Sequence, residues 1–277
     1  MKLALTVACL TLAVAVSASA AEPLRIGFCT DDPAKAKAAG FDYAEIRIRE
    51  FMELSDGEFD VLVARYKALG FPTPAAYTFL PPDLKIVGPV VDEAKVMAYA
   101  TKAFARCERL GVRIVLFGSP AARKAPDGFS KVEAFRQLVA IGKKMAPEAA
   151  RHKVTLAAAP ISAAQTNMIN TTAETLAWVD GVGHPSFQLN TDLYHLVAAG
   201  EQPSALLQAG KKLVYAKMSN PKGRLLPQSA DEYDYAGYFR VLHELGYQGL
   251  LGIEASPDNL APVGPKSVAL LRSLWAR

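Results

Sequence analysis

Eight short apolar runs, spaced by amphipathic stretches, leave this chain few folds to choose from. They read LRIGFC (24–29), DYAEIRI (42–48), TPAAYTF (73–79), VRIVLFG (112–118), KVTLAAA (153–159), FQLNTD (187–192), KLVYAKMS (212–219) and LLGIEA (250–255). The stretches between them include Asp56–Leu69, Asp92–Leu110, Lys131–Arg151, Thr171–Val182 and Asp231–Leu245, whose apolar positions recur at helical spacing. Gly40, Gly70, Gly111 and Gly246 each stand where a helix should stop and a strand begin. The runs are mostly continuous in apolar character rather than alternating, as in parallel strands buried on both faces. An α/β fold, a single closed (β/α)8 TIM barrel, fits both the count and the length. The alternative is a doubly wound open sheet, but no Gly-x-Gly-x-x-Gly turn follows the first run. No linker, repeat or second domain interrupts the alternation.

The N-terminus has a different character. Met1-Lys2, an apolar stretch from Leu3 to Val16 and then Ser17-Ala18-Ser19-Ala20-Ala21 read as a signal peptide over residues 1–20, cut after Ala20. The apolar stretch is too short for a bilayer span, which takes roughly 20 residues. The barrel domain is then 21–277, periplasmic or secreted, with no membrane span after cleavage. Cys29 falls at a strand end and Cys107 near a helix end, on opposite faces of a barrel, so two separate thiols are expected. Basic and acidic residues nearly balance, 31 against 27. They also intermingle along the helices, so no nucleic-acid footprint is present.

Three runs carry a charge where an apolar residue would be expected: Asp192, Lys217 and Glu254. Such a charge is costly unless paired or solvated at the strand's end. Their phase puts all three near strand C-termini, where barrel active sites lie.

Several segments, in this order, make the chain resemble the xylose isomerase-like barrels of the sugar phosphate isomerase/epimerase group. They are PPDLKIVGP (81–89), FGSPAAR (117–123), Gln165-Thr166-Asn167 with Ile169-Asn170-Thr171, GHPSFQLNTDLYH (183–195), NPKGR (220–224) before DEYDYAGYFRVL, then LGYQG and GIEAS. The resemblance implies a divalent metal held by a Glu, an Asp, a His and a second Glu at the strand C-termini. That metal polarises an aldose or ketose while carboxylates shuttle a proton. Matched position by position, the first Glu falls on Ala159 and the His on Lys217, with Tyr215 at the group's other His position. Asp192, Glu254, His195 with its Asp-x-Tyr-His spacing, and Arg224 keep their places. Two of four metal ligands are replaced.

The expected catalytic set is therefore Asp192, Lys217, Glu254 and His195, with no cofactor. A divalent metal would enter only if His195 joined Asp192 and Glu254. Lys217 between two carboxylates can stand in for the cation, act as a Schiff-base nucleophile, or form a purely stabilising ion-pair triad. His195 is either an acid–base or hydroxyl-orienting group or a helix residue that only caps and packs. Expected substrate contacts are Arg224, Glu45, Tyr77, Ser119 and Arg123, with Phe79 beside Tyr77 as a stacking platform. The alternative for Glu45 is simple pairing with its neighbours Arg47 and Arg49. Trp178 and Trp275 read as packing residues. The partner is a small carbohydrate or keto-sugar. The action is of isomerase, epimerase or lyase type, or binding alone by a barrel descended from such enzymes.

Overall fold

The computed structural model describes residues 24–256 and 260–277. The expected signal peptide over 1–20 lies outside them.

Eight strands pair in parallel, each with the next in sequence and β8 back to β1, closing the barrel. They are β1 Arg25–Cys29, β2 Tyr43–Arg47, β3 Ala75–Tyr77, β4 Ile114–Phe117, β5 Thr155–Ala158, β6 Phe187–Asp192, β7 Leu213–Met218 and β8 Leu250–Ile253. Every expected run carries a strand, trimmed at its ends where the chain turns outward. Helices intervene: α1 Pro33–Ala38, α2 Ile48–Met52, α3 Asp56–Leu69, α4 Glu93–Leu110, α5 Lys131–Arg151, α6 Thr172–Val182, α7 Leu193–Ala198, α8 Tyr235–Glu244 and α9 Leu260–Trp275. The short helices α1, α2 and α7 lie outside the amphipathic stretches named above, although the Gly40 stop and the helix reading of His195 point to α1 and α7. Each has six residues or fewer, too few to show a period.

Local chemistry sets the helix ends. Ser55–Glu58 and Thr171–Glu174 form reciprocal capping boxes at the starts of α3 and α6. Gly40, Gly70, Gly111 and Gly246 all take positive φ where helices stop. Among the described residues no helix is long and apolar enough to cross a membrane.

Two cores result. The larger lies between strands and helices, where Phe79, Phe104, Phe117, Trp178 and Phe187 pack ring against ring. Trp178 is fully buried and donates to the Leu138 carbonyl at 2.9 Å. Trp275 packs on Phe239 and His243, also as a helix-packing residue. Phe79 belongs to this outer core, with no exposed surface, and so is not the expected platform for a ligand. The strand β3 is only three residues long, so the chain turns outward after Tyr77 and carries Phe79 away from the barrel axis. Cys29 and Cys107 are both free and buried, as expected of separate thiols.

The smaller core fills the barrel itself and includes Tyr43, Tyr77, Leu116 and Tyr215. Glycines make room for the large rings. A Cβ on Gly27 would sit 2.0 Å from the Tyr43 ring, and one on Gly252 would sit 2.5 Å from the Tyr215 hydroxyl. Glycine inside a strand marks such close approach.

Candidate active site

A cavity of about 240 Å³ opens at the strand C-termini. Of the residues singled out in the sequence, Tyr77, Ser119, Asp192, His195, Lys217, Arg224 and Glu254 line it. Register explains the convergence: Asp192 is the β-ladder partner of Lys217, and Lys217 that of Gly252 two residues before Glu254. Lys217 points inward and is 2 % exposed.

Two other expected contacts do not reach the cavity. Glu45 lies wholly buried beneath it, not on its wall. Its Oε1 accepts from Lys217 Nζ at 2.8 Å and its Oε2 from the Tyr215 hydroxyl at 2.8 Å. Arg123 is equally buried, behind the wall. It donates to the carbonyls of Ala159 at 2.9 Å and Ile169 at 3.1 Å, tying the loop after β5 in place. Its residue type and loop position look like those of a ligand clamp. Three backbone carbonyls draw it inward, Phe117 being the third; only that of Ala159 has no backbone N–H of its own, since Phe117 and Ile169 also accept from the N–H groups of Ala159 and Ile161. Burial pulls its pKa down to about 9, so it is still charged at neutral pH.

The charges form one chain rather than the expected triad. Lys217 Nζ lies 2.8 Å from Glu45 and 2.5 Å from Glu254. Arg224 continues it, 2.7 Å from Glu254 and 3.8 Å from Asp192. Asp192 thus joins through Arg224. Below, the Tyr215 hydroxyl lies 2.9 Å from that of Tyr43, so the network descends to the barrel floor.

Ionisation follows from these partners. Burial alone would lower the Lys217 pKa, but Cys29, Glu254, Glu45 and Asp192 outweigh it and hold the ammonium's pKa well above the usual value. A lysine held protonated is a poor nucleophile, which argues against the Schiff-base alternative. Burial would raise Glu254, yet Lys217 and Arg224 bring it down to about 2. It is ionised throughout the physiological range and a weak base there.

His195 is set differently. Its Nδ1 faces the Ser162 backbone N–H at 3.1 Å, and that N–H can only donate. The neutral ring therefore carries its proton on Nε2. Burial lowers its pKa below the ordinary 6.5, with Asp192 opposing. We expect ring ¹⁵N spectra to show a bare Nδ1 and titration below pH 6.5. A protonated Nδ1 at pH 7 would contradict this assignment.

The four-ligand metal set implied by the resemblance does not fit these residues. Ala159 has no donor side chain, and the Lys217 ammonium is at the His position. Both remaining carboxylates face Arg224. His195 cannot join them without giving Nδ1 a proton to point at another N–H. Among the described residues no group of three or more His, Cys, Asp or Glu is arranged to hold an ion.

Strain concentrates here. Thr78, Ser119 and Arg224 line the cavity with positive φ values of 54°, 42° and 53°. Each such conformation costs about 1–3 kcal/mol, and it persists where the site needs it. Sequence reasoning assigned no site role to Thr78 or Asn190, marked Gln165 only as part of a resembling segment, and offered Arg49 only as a partner for Glu45; all four line the cavity. It also missed the role of Glu45. Gly252 was the available signal, because a Cβ there would sit 2.6 Å from Glu45.

Comparison with known proteins agrees with this architecture. The model of the xylose isomerase-like TIM barrel family matches residues 33–274. An L-ribulose 3-epimerase from Methylomonas sp. (strain DH-1) is 24 % identical over 250 residues, covering 87 % of this chain and 84 % of that protein. A D-allulose 3-epimerase from Methylomonas sp., solved in complex with D-allulose, superposes with a TM-score of 0.76. Its identity is 18 %, over 91 % of this chain and 97 % of that one. A 3-keto-D-glucoside 4-epimerase from E. coli gives a TM-score of 0.74 at 19 % identity, over 90 % and 99 % of the two chains. The family match spans nearly all the described residues, and the fold and strand order agree with it: the chain belongs to the xylose isomerase-like TIM barrel family.

Proposed function

We propose that this chain acts on a carbohydrate or keto-sugar by isomerase, epimerase or lyase-type proton transfer, outside the cytoplasm and without the divalent metal that the family resemblance implies. The observation that carries this is the pairing at the cavity wall. Asp192 has one oxygen held by the Tyr194 N–H at 3.0 Å, while its other has only Arg224 near, at 3.8 Å. His195 lines the same cavity with its Nε2–H.

In this reading Asp192 is the base that takes a proton from the carbon beside the carbonyl. His195 Nε2–H donates to a sugar oxygen. The ammonium of Lys217 and the guanidinium of Arg224 supply fixed positive charge where an enediolate oxygen develops, in place of a metal. Glu254 holds both cations in position; its low pKa makes it a clamp rather than a base. Tyr77 lines the cavity and its ring is covered by cations, with Lys217 Nζ 5.0 Å and the Arg47 guanidinium 5.4 Å from the ring centroid. Asp192, Glu254 and Lys217 together carry one net negative charge, as do the three carboxylates, neutral imidazole and dication that the resemblance implies.

A second reading, binding without catalysis, draws support from Glu254, whose proton affinity is too low for acid–base work. Incubation with ketoses and 3-keto-sugars in D₂O containing a chelator separates the two. We expect deuterium to enter at the carbon beside the carbonyl, and Asp192→Asn to abolish it. Sugar binding without exchange would favour the binding barrel. Exchange that appears only with added Mn²⁺ or Co²⁺, or about one tightly held metal per chain by elemental analysis, would overturn the metal-free mechanism.

A further inference from the structure

The remaining charge in the cavity is Arg49, and it is not used by the network described above. It lies on α2, just beyond β2, and its side chain lines the cavity. Every other charged group at the site is engaged: Lys217 by Glu45 and Glu254, Arg224 by Glu254 and Asp192. Arg47, two residues earlier, is taken by Asp31 at 2.8 Å. The Arg49 side chain makes no hydrogen bond or ion pair among the described residues; only its backbone carbonyl is engaged, accepting from the Glu53 N–H at 3.2 Å. Its cation stands uncompensated at the mouth.

The same cavity also holds hydroxyl donors among apolar residues such as Leu80, Pro82 and Pro120. Thr78 lines the cavity, and its buried hydroxyl has no partner among the described residues. A β-branched residue with φ of 54° is a costly choice where glycine would relax the backbone. Ser119 follows on the next strand's loop, also at positive φ. Its Oγ accepts from the Leu80 N–H at 3.0 Å, which leaves its own proton free to donate. One guanidinium and two hydroxyls with available protons thus sit on the side fed by β2, β3 and β4. Asp192 and Glu254 come from β6 and β8. A ligand that suits both sides is polyhydroxylic at one end and anionic at the other.

We propose that the substrate carries a carboxylate, as a sugar acid or keto-sugar acid, and that Arg49 with the Thr78 and Ser119 hydroxyls binds it. This rests on the carbohydrate reading of the same site and narrows it from neutral sugars to acidic ones. Arg49 is an exposed cation at the cavity mouth, so the recognition is salt-sensitive. A carboxylate can take two of its N–H groups side by side.

Calorimetric titration of the full protein with matched pairs tests this: D-galacturonate against D-galactose, D-glucuronate against D-glucose, and D-tagaturonate against D-tagatose. At low ionic strength we expect at least one acid to bind about tenfold more tightly than its neutral partner, the equivalent of about 1.4 kcal/mol. Arg49→Gln should remove that preference by weakening the acid about tenfold more than its neutral partner, while Arg49→Lys keeps part of it. Added NaCl should erode it. Neutral sugars binding as tightly as the acids would overturn the proposal and leave the carbohydrate reading intact. An acid preference untouched by Arg49→Gln would overturn it as well. Failure of every member to bind would overturn both readings.

Discussion

Lys217→Met is expected to cost about 3–5 kcal/mol of unfolding free energy at pH 7, the usual range for breaking a buried ion pair. The cost falls on Glu45. Glu254 is partly solvated and keeps Arg224, but Glu45 is wholly buried and would retain only neutral partners, the Tyr215 hydroxyl and the Cys29 thiol. An unpaired buried carboxylate escapes by taking a proton. At pH 7, protonating a group of ordinary pKa near 4.3 costs about 1.36 kcal/mol per pH unit, or about 3.7 kcal/mol. That sets the scale of the penalty and its pH dependence together.

Lys217 has a folded pKa above its unfolded one, so its contribution is complete below about pH 10.4 and is lost only as pH rises through the higher folded value. Glu254 has a folded pKa of about 2, so its contribution is present above about pH 4.3 and is lost as pH falls through about 2. The wild-type network is therefore complete from about pH 5 to 10, whereas the variant is penalised less as its carboxylates protonate. Urea unfolding at pH 7, 5.5 and 4 should show the difference shrinking toward pH 4. A difference constant across that range would remove the charge explanation. The double variant Glu45→Gln with Lys217→Met should recover most of the loss. The amide introduced at position 45 would carry no charge to strand, and its oxygen could still accept from Tyr215.

How much of this was legible in the sequence depended on which physical signal each feature leaves. Parallel strands buried on both faces write themselves as continuous apolar runs, so all eight were visible, and so were the glycine stops between them. Lys217 and Asp192 stood out because a charge in an apolar run is anomalous. Glu45 stood out for the same reason, but nothing local tells whether such a residue reaches the cavity or lies below it. That depth is set by the barrel's stagger, which pairs Glu45 with Cys29 on one side and Ala75 on the other. Arg123 and Arg49 had the reverse fate from the one their surroundings implied. FGSPAAR looks like a ligand loop, yet its Arg is consumed by backbone carbonyls. Arg49 looked like a salt-bridge partner for Glu45, yet Lys217 reaches that carboxylate from across the barrel. Contacts between residues about 170 positions apart, such as Lys217–Glu45, leave no trace in local patterning.

A metal site should be recoverable by reversing the two replacements. Ala159→Glu with Lys217→His restores the four-ligand set, and Glu45→Gln must accompany it, because a neutral imidazole at 217 would leave Glu45 unpaired below. Ala159 already lines the cavity, so the introduced carboxylate starts from the right wall. If the site binds Mn²⁺ with a dissociation constant near 1 μM, then 1 mM metal stabilises the fold by about 4 kcal/mol. For a chain of this size that raises the melting temperature by roughly 8–16 °C, at about 2–4 °C per kcal/mol. The parent protein, with an ammonium where the dication would sit, should show no such rise. Adding Asp192→Asn to the engineered variant should abolish it, which ties the effect to this cavity rather than to adventitious surface binding. A variant that folds but ignores metal would mean that Ala159 and Lys217 do not occupy the ligand positions. A parent that binds metal as tightly would mean that Lys217 does not take the cation's place, and the proposed proton transfer would then have to be rebuilt around a Lewis acid.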